Sequence, residues 1–291
     1  MATERLAIRS RGLSNGNLSH VQLKSIGLIG AGRMAAALAA GCVKAGLTPA
    51  NGVLASDPFD AAREKFSHDV PGAKVFSQHA PVLAGADMVV LAVKPQAMSQ
   101  VLAEISPHVE PRHLLASIAA GVTLARLAAG LPERTRLIRV MPNTPCLIGL
   151  GASCFSRGAT ATAADAAQVE QLLLSVGKAY EVDESQLDAV TGLSGSGPAF
   201  IYTVLEALAA GGVAMGLPGP LALELAAQTA CGAASMVLAT GLSPAELRQQ
   251  VTSPGGATLA GLEALQRGNA AAAMRAAVEA AARRSIELGQ A

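Results

Sequence analysis

The first residues that could do chemistry are the glycines of a short segment near the amino end. Residues Gly30–Ala35 form the motif G-x-G-x-x-A between an apolar run, Ile26–Ile29, and a stretch with helical spacing that starts at Met34. In such a turn the glycines let backbone N–H groups at the start of the helix approach a pyrophosphate. We therefore predict a dinucleotide site here. Its predicted contacts are Ile29, Gly30, Ala31, Gly32, Arg33 and Met34.

The end of the second predicted strand, Val53–Ala55, bears on which dinucleotide binds. NAD-dependent proteins usually place an acidic residue there to bond the ribose 2′-hydroxyl. This chain has Ser56 at that place and Asp57 one position later. A serine hydroxyl can donate to a 2′-phosphate, and Arg33 lies in the adjacent glycine loop, whereas Asp57 would repel the phosphate if it turned inward. We therefore expect NADPH as the cofactor and Ser56 as a contact, with NADH as the alternative.

The elements that must position these residues alternate between strand and helix as far as residue 182. The run Met88–Val93 is apolar without interruption, which is typical of a parallel strand buried on both faces. Beyond residue 182 the pattern is helical. The predicted fold class is α/β, an N-terminal Rossmann-like doubly wound sheet followed by an all-helical C-terminal domain. The predicted strands are Ile26–Ile29, Val53–Ala55, Met88–Val93, Leu114–Ile118 and Arg136–Met141, and the predicted helices of the second part are Pro198–Ala214, Pro220–Thr240, Pro244–Val251 and Ala270–Leu288.

The chain is predicted to have three parts. Residues 1–24 form a flexible tail, residues 25–182 a dinucleotide-binding domain, and residues 183–291 a helical domain for substrate binding and oligomerisation. The predicted helix Leu221–Leu238 has almost no polar face, and a domain of this size cannot bury several such helices alone. We therefore expect a homo-oligomer, a dimer or higher, held together through the helical domain.

The composition excludes several classes of protein. The 291 residues carry 22 Lys and Arg against 21 Asp and Glu, a net charge of +1, whereas binding nucleic acid by bulk charge needs a basic surplus. We expect no membrane span, because the best uncharged stretch, Leu225–Ala245, contains Gln, Thr, Ser and Pro residues. The four cysteines are scattered without a C-x-x-C pair or a nearby histidine, so we expect thiols rather than a metal site or disulfides.

The amino-terminal residues bear on the compartment. Residues 1–24 contain Arg5, Arg9, Arg11 and Lys24 against a single acid, Glu4, and they lack the apolar core of a secretory signal. A segment rich in Arg and Ser and poor in acids also suits a transit peptide. We expect a cytoplasmic protein, with a plastid or mitochondrion as the alternative if residues 1–24 are a transit segment.

Further segments carry a resemblance to a known family. They are Ala92–Pro95 (AVKP), Met141–Pro145 (MPNTP), Leu193–Ala199 (LSGSGPA) and Val251–Thr258 (VTSPGGAT). With the glycine loop, they resemble Δ1-pyrroline-5-carboxylate reductase over nearly all of the chain beyond the tail. The last two segments are highly specific. The resemblance implies an NAD(P)H-dependent oxidoreductase that transfers a hydride to the cyclic imine of 1-pyrroline-5-carboxylate and gives L-proline, the last step of proline biosynthesis.

Within this resemblance, the turn at Ser253–Gly256 is the predicted substrate site. Two glycines after Pro254 would expose several backbone N–H groups as a nest for a carboxylate at the start of a helix. The resemblance implies that Thr258 presents its hydroxyl to the ring nitrogen as the catalytic residue. The alternative is a capped helix start without a ligand. The predicted substrate-binding residues are Ser253, Gly255, Gly256, Ala257 and Thr258.

The resemblance also puts further residues beside the cofactor. Lys94 follows a buried strand at its carboxyl end, where open α/β sheets bind ligands, and Ala120 belongs to a turn of small residues that would lie under the nicotinamide. Asn143 is either a turn residue or a cofactor ligand. His79 stands where the family usually has an asparagine near the adenosine. The predicted contacts of this group are Ala92, Val93, Lys94, Pro95, Ala120 and Asn143.

Two other functions remain alternatives. A β-hydroxyacid-type dehydrogenase with the same two-domain plan would want a lysine or histidine as acid or base in the helical half, which contains only arginines as basic residues. A nucleotide-binding module that has lost catalysis would be supported by loss of Thr258 or of the glycine pair, and both are present. An assay of NADPH oxidation with pyrroline-5-carboxylate discriminates among the three.

Overall fold

The structure, a computed structural model, describes residues 23–290. The tail predicted at residues 1–24 therefore lies outside the described residues except for its last two. The strands are β1 (Ile26–Ile29), β2 (Val53–Ser56), β3 (Lys74–Phe76), β4 (Met88–Leu91), β5 (Leu114–Ser117), β6 (Arg136–Met141), β7 (Gly151–Arg157) and β8 (Gly177–Glu181). The helices are α1 (Arg33–Lys44), α2 (Asp60–Asp69), α3 (Ala80–Gly85), α4 (Met98–Ile105), α5 (Leu124–Ala129), α6 (Ala163–Leu174), α7 (Leu187–Val190), α8 (Gly197–Ala214), α9 (Gly219–Thr240), α10 (Pro244–Gln250), α11 (Ala257–Arg267) and α12 (Ala270–Gln290).

The eight described strands form one sheet in the order β3-β2-β1-β4-β5-β6-β7-β8. Neighbouring strands are parallel except for β6 and β7, which are antiparallel. The chain runs outward in opposite directions from β1, so β1 and β4 flank the switch point at which such sheets bind ligands. The predicted doubly wound α/β fold is confirmed.

Two hydrophobic cores cover the two faces of this sheet. One packs α1 and α6 on the sheet, and the other packs α3, α4 and α5 on its opposite face. Successive residues of β4 enter different cores, with Val89 in one and Val90 in the other. The prediction that β4 is buried on both faces is therefore confirmed, because helices cover each side of the sheet.

The chain divides into two compact units, one running to Gly195 and resuming at Arg284, and the other covering Ser196–Arg283. The predicted division lies at residue 182 instead. Arg139 in β6 is buried and pairs with Glu184 at 3.3 Å and Asp188 at 3.1 Å. These two carboxylates hold the segment after β8 to the sheet.

The last turns of α12 belong to the first unit as well. The Ser285 hydroxyl donates to Asp188 at 2.7 Å, and a Cβ atom placed on Gly121 would lie 3.1 Å from Cβ of Leu288. The last turns of α12 therefore pack beside the turn that follows β5.

The amino-terminal limit of the fold also differs from the predicted one. Leu23 is buried in the core, its N–H donates to the Leu47 carbonyl at 3.0 Å, and its carbonyl accepts from the Thr48 hydroxyl at 2.7 Å. The folded part therefore includes Leu23, whereas the predicted folded domain begins at Ser25.

The second unit consists of helices and exposes much apolar surface. Helices α8 and α9 pack through small residues, since Ala222 and Ala226 are buried and Ala222 closely approaches Gly212. By length and composition alone, Glu184–Ala214 and Gly219–Thr240 would suffice to cross a membrane. The large apolar side chains exposed in this unit include Ile201, Tyr202, Leu208, Val213, Met215, Leu221, Leu223, Leu225, Met236 and Leu238.

The burial of Leu23 leads to a first prediction. Leu23→Ala should lower the free energy of unfolding by about 2–3 kcal/mol, because truncating a buried leucine removes apolar contacts and leaves a cavity. The neighbouring Lys24 is exposed, so Lys24→Ala should change it by less than about 0.5 kcal/mol. Urea unfolding measures both variants. Equal stabilities would show that residue 23 lies outside the core.

Candidate functional site

The glycine loop between β1 and α1 has the geometry of a dinucleotide-binding turn. Gly30 has φ +97°, its N–H donates to the Ser56 carbonyl at 2.8 Å, and a Cβ atom on it would lie 2.7 Å from the Ala92 carbonyl oxygen. Both the backbone conformation and the lack of space require glycine there. At Gly32, in contrast, a Cβ atom would have nothing within 4 Å. The loop is therefore closed toward the sheet and open in front of the helix.

The start of α1 is suited to an anion. Gly32 is the N-cap residue and offers no side chain to the first N–H groups, and the first turn contains no acidic residue. Arg33, the first residue of the helix, is exposed. Uncapped N–H groups at a helix start, with a cation beside them, fit a pyrophosphate. The residues present thus fit the predicted dinucleotide.

Ser56, a predicted cofactor contact, lies inside the protein. It is fully buried at the end of β2, and its Oγ lies 2.9 Å from Nδ1 of His79. The His79 side chain is 10% exposed, and its Nε2 lies 3.4 Å from Oε2 of Glu104. Burial lowers the pKa of His79 below its usual value, outweighing the Glu104 and Asp57 carboxylates, which raise it. The imidazole, rather than the hydroxyl, is the outer group at this strand end.

Two backbone N–H groups hold the Asp57 carboxylate. One carboxylate oxygen accepts the Ala31 N–H of the glycine loop at 2.9 Å, and the other accepts the Phe59 N–H at 3.0 Å. The side chain therefore ties the loop after β1 to the loop after β2. These two N–H donors reduce the repulsion expected between the Asp57 carboxylate and a 2′-phosphate.

Arg63 is a basic residue at this site that was not predicted from the sequence. Its Nη1 donates to the carbonyls of Asp57 at 2.8 Å and Pro58 at 2.9 Å, and its Nη2 pairs with Asp60. A cation thus lies against the loop after β2. The sequence signal is the spacing, because Asp60 begins α2 and a residue three positions later can fold back over the start of the helix.

The other predicted cofactor residues of the sheet lie at the carboxyl ends of adjacent strands. The Ala92 N–H donates to the Ile29 carbonyl at 2.7 Å, and Val93 would touch a Cβ atom on Gly30 at 3.1 Å. Lys94 is exposed, Pro95 begins a short 3-10 turn, and Ala120 follows β5 in the same sheet. The structure thus brings Ala92–Pro95 to the glycine loop.

Asn143 is held within the protein at both ends of its amide. Nδ2 donates to the Ser194 carbonyl at 3.1 Å, and Oδ1 accepts the Ala152 N–H at 2.9 Å. The residue is buried. Of the two alternatives for Asn143, this geometry favours the structural one, in which the side chain fixes the segment after β6.

The predicted substrate nest lies in the second unit, at the start of α11. Gly255 has φ +70°, and the Gly256 N–H donates to the Ser253 carbonyl at 3.0 Å, which closes a turn. A Cβ atom on Gly256 would lie 2.4 Å from the Ser253 hydroxyl oxygen. Ala257 and the exposed Thr258 open the helix, where N–H groups have no acceptor in a preceding turn. The start of α11 therefore offers backbone N–H groups to an anion, and its role as the carboxylate site stays a prediction.

The cysteines and acids give no sign of metal chemistry in the part of the chain that the structure describes. Burial raises the pKa of the Cys42 thiol to about 11, which keeps it protonated and unreactive at neutral pH. Across residues 23–290, no group of three or more His, Cys, Asp and Glu side chains could hold a metal ion.

Comparisons with known proteins show which family the sequence resembles. Residues 184–288 match the family model for pyrroline-5-carboxylate reductase dimerisation, and residues 25–121 match that for coenzyme F420-dependent NADP oxidoreductase. Pyrroline-5-carboxylate reductase of Glycine max is 45% identical over 91% of this chain and 96% of its own length. Pyrroline-5-carboxylate reductase 3 of Rattus norvegicus is 43% identical over 92% and 97%. The chain belongs to the pyrroline-5-carboxylate reductase family.

Solved structures agree with this assignment. The pyrroline carboxylate reductase of Plasmodium falciparum, with NADP bound, matches with a TM-score of 0.84 at 30% identity over 92% of this chain and 99% of that one. The enzyme of Coxiella burnetii matches with a TM-score of 0.84 at 32% identity, over 92% and 98%. The resemblance to pyrroline-5-carboxylate reductases expected from the motifs is confirmed.

The two loop glycines give a second prediction, which separates folding from binding. Gly30→Ala should lower the free energy of unfolding by about 2–4 kcal/mol, because the new Cβ meets a carbonyl at a backbone conformation disfavoured for alanine. Gly32→Ala should change it by less than about 1 kcal/mol but weaken dinucleotide binding at least roughly tenfold, because its Cβ fills the space in front of the helix. Unfolding and dissociation constants measure both. Undiminished binding by Gly32→Ala would contradict the pyrophosphate site.

Proposed function

We propose that this chain is a pyrroline-5-carboxylate reductase that transfers a hydride from NADPH to the cyclic imine of 1-pyrroline-5-carboxylate and forms L-proline. The observation that carries the proposal is the turn Ser253–Gly256 before α11, a carboxylate nest built from backbone N–H groups. It accompanies a dinucleotide-binding turn in a chain 45% identical to a reductase of that name. A dinucleotide module alone has no need of the nest.

The first unit is proposed to hold the cofactor. Its nicotinamide supplies the hydride when the dinucleotide is bound. The glycine loop would hold the pyrophosphate at the start of α1. Arg33 and Arg63 add positive charge near the strand end where NADP-binding proteins accept the 2′-phosphate. The Asp57 carboxylate, which accepts the Ala31 and Phe59 N–H groups, and the match to an NADP oxidoreductase model also support NADPH, with NADH as the alternative.

The second unit is proposed to hold the substrate. The N–H groups of Gly255 and Ala257 would bind the carboxylate, while the Gly256 N–H and the Ser253 carbonyl close the turn between them. The Thr258 hydroxyl would orient the ring nitrogen. Catalysis then comes mainly from positioning the imine carbon for the hydride. The basic side chains of the described Ser196–Arg283 unit are all arginines, which are poor proton donors at neutral pH. This composition disfavours the hydroxyacid dehydrogenase alternative.

The second unit is also proposed to form the oligomer. The match to a dimerisation family supports a homo-oligomer, and the exposed apolar side chains of α8 and α9 are its proposed interface. A second copy of the chain would cover the two stretches that are apolar enough for a membrane. Because the net charge is only +1, we propose that the protein binds neither nucleic acid nor a membrane. We also propose a cytoplasmic location.

A third prediction tests the role of Thr258. Thr258→Ala should lower kcat/KM roughly ten- to hundredfold, because a hydrogen bond at the reacting nitrogen is worth about 1–3 kcal/mol. Thr240→Ala, an exposed threonine of the same unit, should leave kcat/KM within about twofold. NADPH oxidation with 1-pyrroline-5-carboxylate gives the rates, and thermal unfolding shows whether the fold is kept. Equal rates for Thr258→Ala and the wild type would remove the assigned role.

A fourth prediction concerns the oligomer. Leu225→Glu should convert the protein to a monomer at micromolar concentration and abolish its activity, because the change buries a charge in the proposed interface. Leu174→Glu alters an equally exposed leucine of the first unit and should keep the wild-type mass and rate. Light scattering and the reductase assay measure both. A monomeric, fully active wild-type protein would contradict the proposed assembly.

A further inference from the structure

Three polar side chains form a cluster at the carboxyl edge of the sheet. It consists of Ser56 at the end of β2, His79 immediately before α3, and Glu104 in α4. The imidazole lies between the other two, with Nδ1 at 2.9 Å from the Ser56 hydroxyl and Nε2 at 3.4 Å from the Glu104 carboxylate. Three elements thus converge on one histidine.

The place of this cluster relates it to the 2′ position of the adenosine ribose. In dinucleotide-binding sheets the side chain at the end of the second strand distinguishes a 2′-hydroxyl from a 2′-phosphate. Ser56 occupies that position but is fully buried, and Asp57 is turned back to the Ala31 N–H. His79 is therefore the side chain that extends from Ser56 toward Glu104, whose side chain is half exposed.

The serine can hold the imidazole in either protonation state. A hydroxyl donates or accepts by rotating its hydrogen. With neutral His79 and its proton on Nε2, facing the Glu104 carboxylate, Ser56 donates to Nδ1. With protonated His79, Nδ1 donates to Ser56. The ring can therefore change its charge without losing its position.

The charge of His79 decides the local electrostatic balance. Glu104 approaches from α4 and Asp57 from the end of β2, while Arg63 of α2 lies against the Asp57 carbonyl. Because burial lowers the pKa of His79, the ring is neutral at pH 7 and above, and the Glu104 charge is then uncompensated by it. Protonation at lower pH supplies a positive charge at the same place.

We propose that His79 determines specificity between NADPH and NADH, with its protonated form selecting the 2′-phosphate. The inference rests on the proposed function, which supplies the dinucleotide. A phosphate dianion stabilises an imidazolium, whereas a 2′-hydroxyl does so far less. Binding of NADPH should therefore take up a proton at His79 that binding of NADH leaves in solution.

The experiment measures the dissociation constants of NADPH and NADH without any imine substrate, between about pH 6 and pH 8.5. For the wild type, the preference for NADPH should rise roughly three- to tenfold as the pH falls over this range, the effect of one added charge at a partly solvated site. Titration calorimetry at neutral pH, in buffers of different ionisation enthalpy, should show more proton uptake with NADPH than with NADH.

Three variants assign the effect. His79→Asn keeps a side chain favoured before a helix and able to bond Ser56, and its preference should vary only with the titration of the 2′-phosphate itself, near pH 6. His68→Asn, an exposed histidine of α2, should behave as the wild type. Glu104→Gln should strengthen NADPH binding at high pH and move the rise to lower pH, because the carboxylate raises the pKa of His79.

The outcomes are distinct. Identical preferences for the wild type and His79→Asn at every pH would overturn the role of His79. If His79→Asn does not fold, an unmoved pH curve in Glu104→Gln would overturn it equally. Failure of the wild type to bind either dinucleotide would instead overturn the proposed function.

Discussion

The dinucleotide-binding unit depends on the close approach of the glycine loop to the two strands that flank β1. On one side the Gly30 N–H bonds the Ser56 carbonyl, and on the other a Cβ atom at Gly30 would collide with the Ala92 carbonyl. Asp57 completes the arrangement by accepting the Ala31 N–H. One loop is thus fixed by β2 and β4 together, which aims the first N–H groups of α1 at the place of the pyrophosphate.

Charged and small residues complete the structure in two other places. Arg139 is buried in β6 and is compensated by Glu184 and Asp188, so the chain after β8 is held by an ion-pair network at the sheet. In the second unit, small residues let α8 and α9 pack closely while their larger apolar side chains remain exposed. Such exposed apolar surface is consistent with the match of residues 184–288 to a dimerisation family.

Much of the fold followed from local pattern, and what did not has a physical reason. The strands buried on both faces were predictable because their residues are continuously apolar, as in β4. The strands β3, β7 and β8 were missed. Strand β3 has three residues, β7 (GASCFSR) consists mostly of small and polar residues, and β8 (GKAYE) carries charges at two exposed positions. The attachment of the segment after β8 to the sheet was not predictable, because it depends on Arg139, whose partners lie 45 and 49 residues away.

The candidate site also has parts that could be predicted from the sequence and parts that could not. The turns of the glycine loop and of Ser253–Gly256 were predictable, because glycine is needed wherever φ is positive or backbone must approach closely. The burial of Ser56 beneath His79, and the turn of Asp57 toward Ala31, depend on contacts between separate strands that no local spacing encodes.

The most direct test follows the hydride itself. NADPH carrying deuterium at the transferred position of the nicotinamide is incubated with the wild-type protein and 1-pyrroline-5-carboxylate, and the product is analysed by mass spectrometry and NMR. The account predicts L-proline with one deuterium on the ring carbon that was the imine carbon. Oxidation of the cofactor without labelled proline, or no reaction at all, would contradict it.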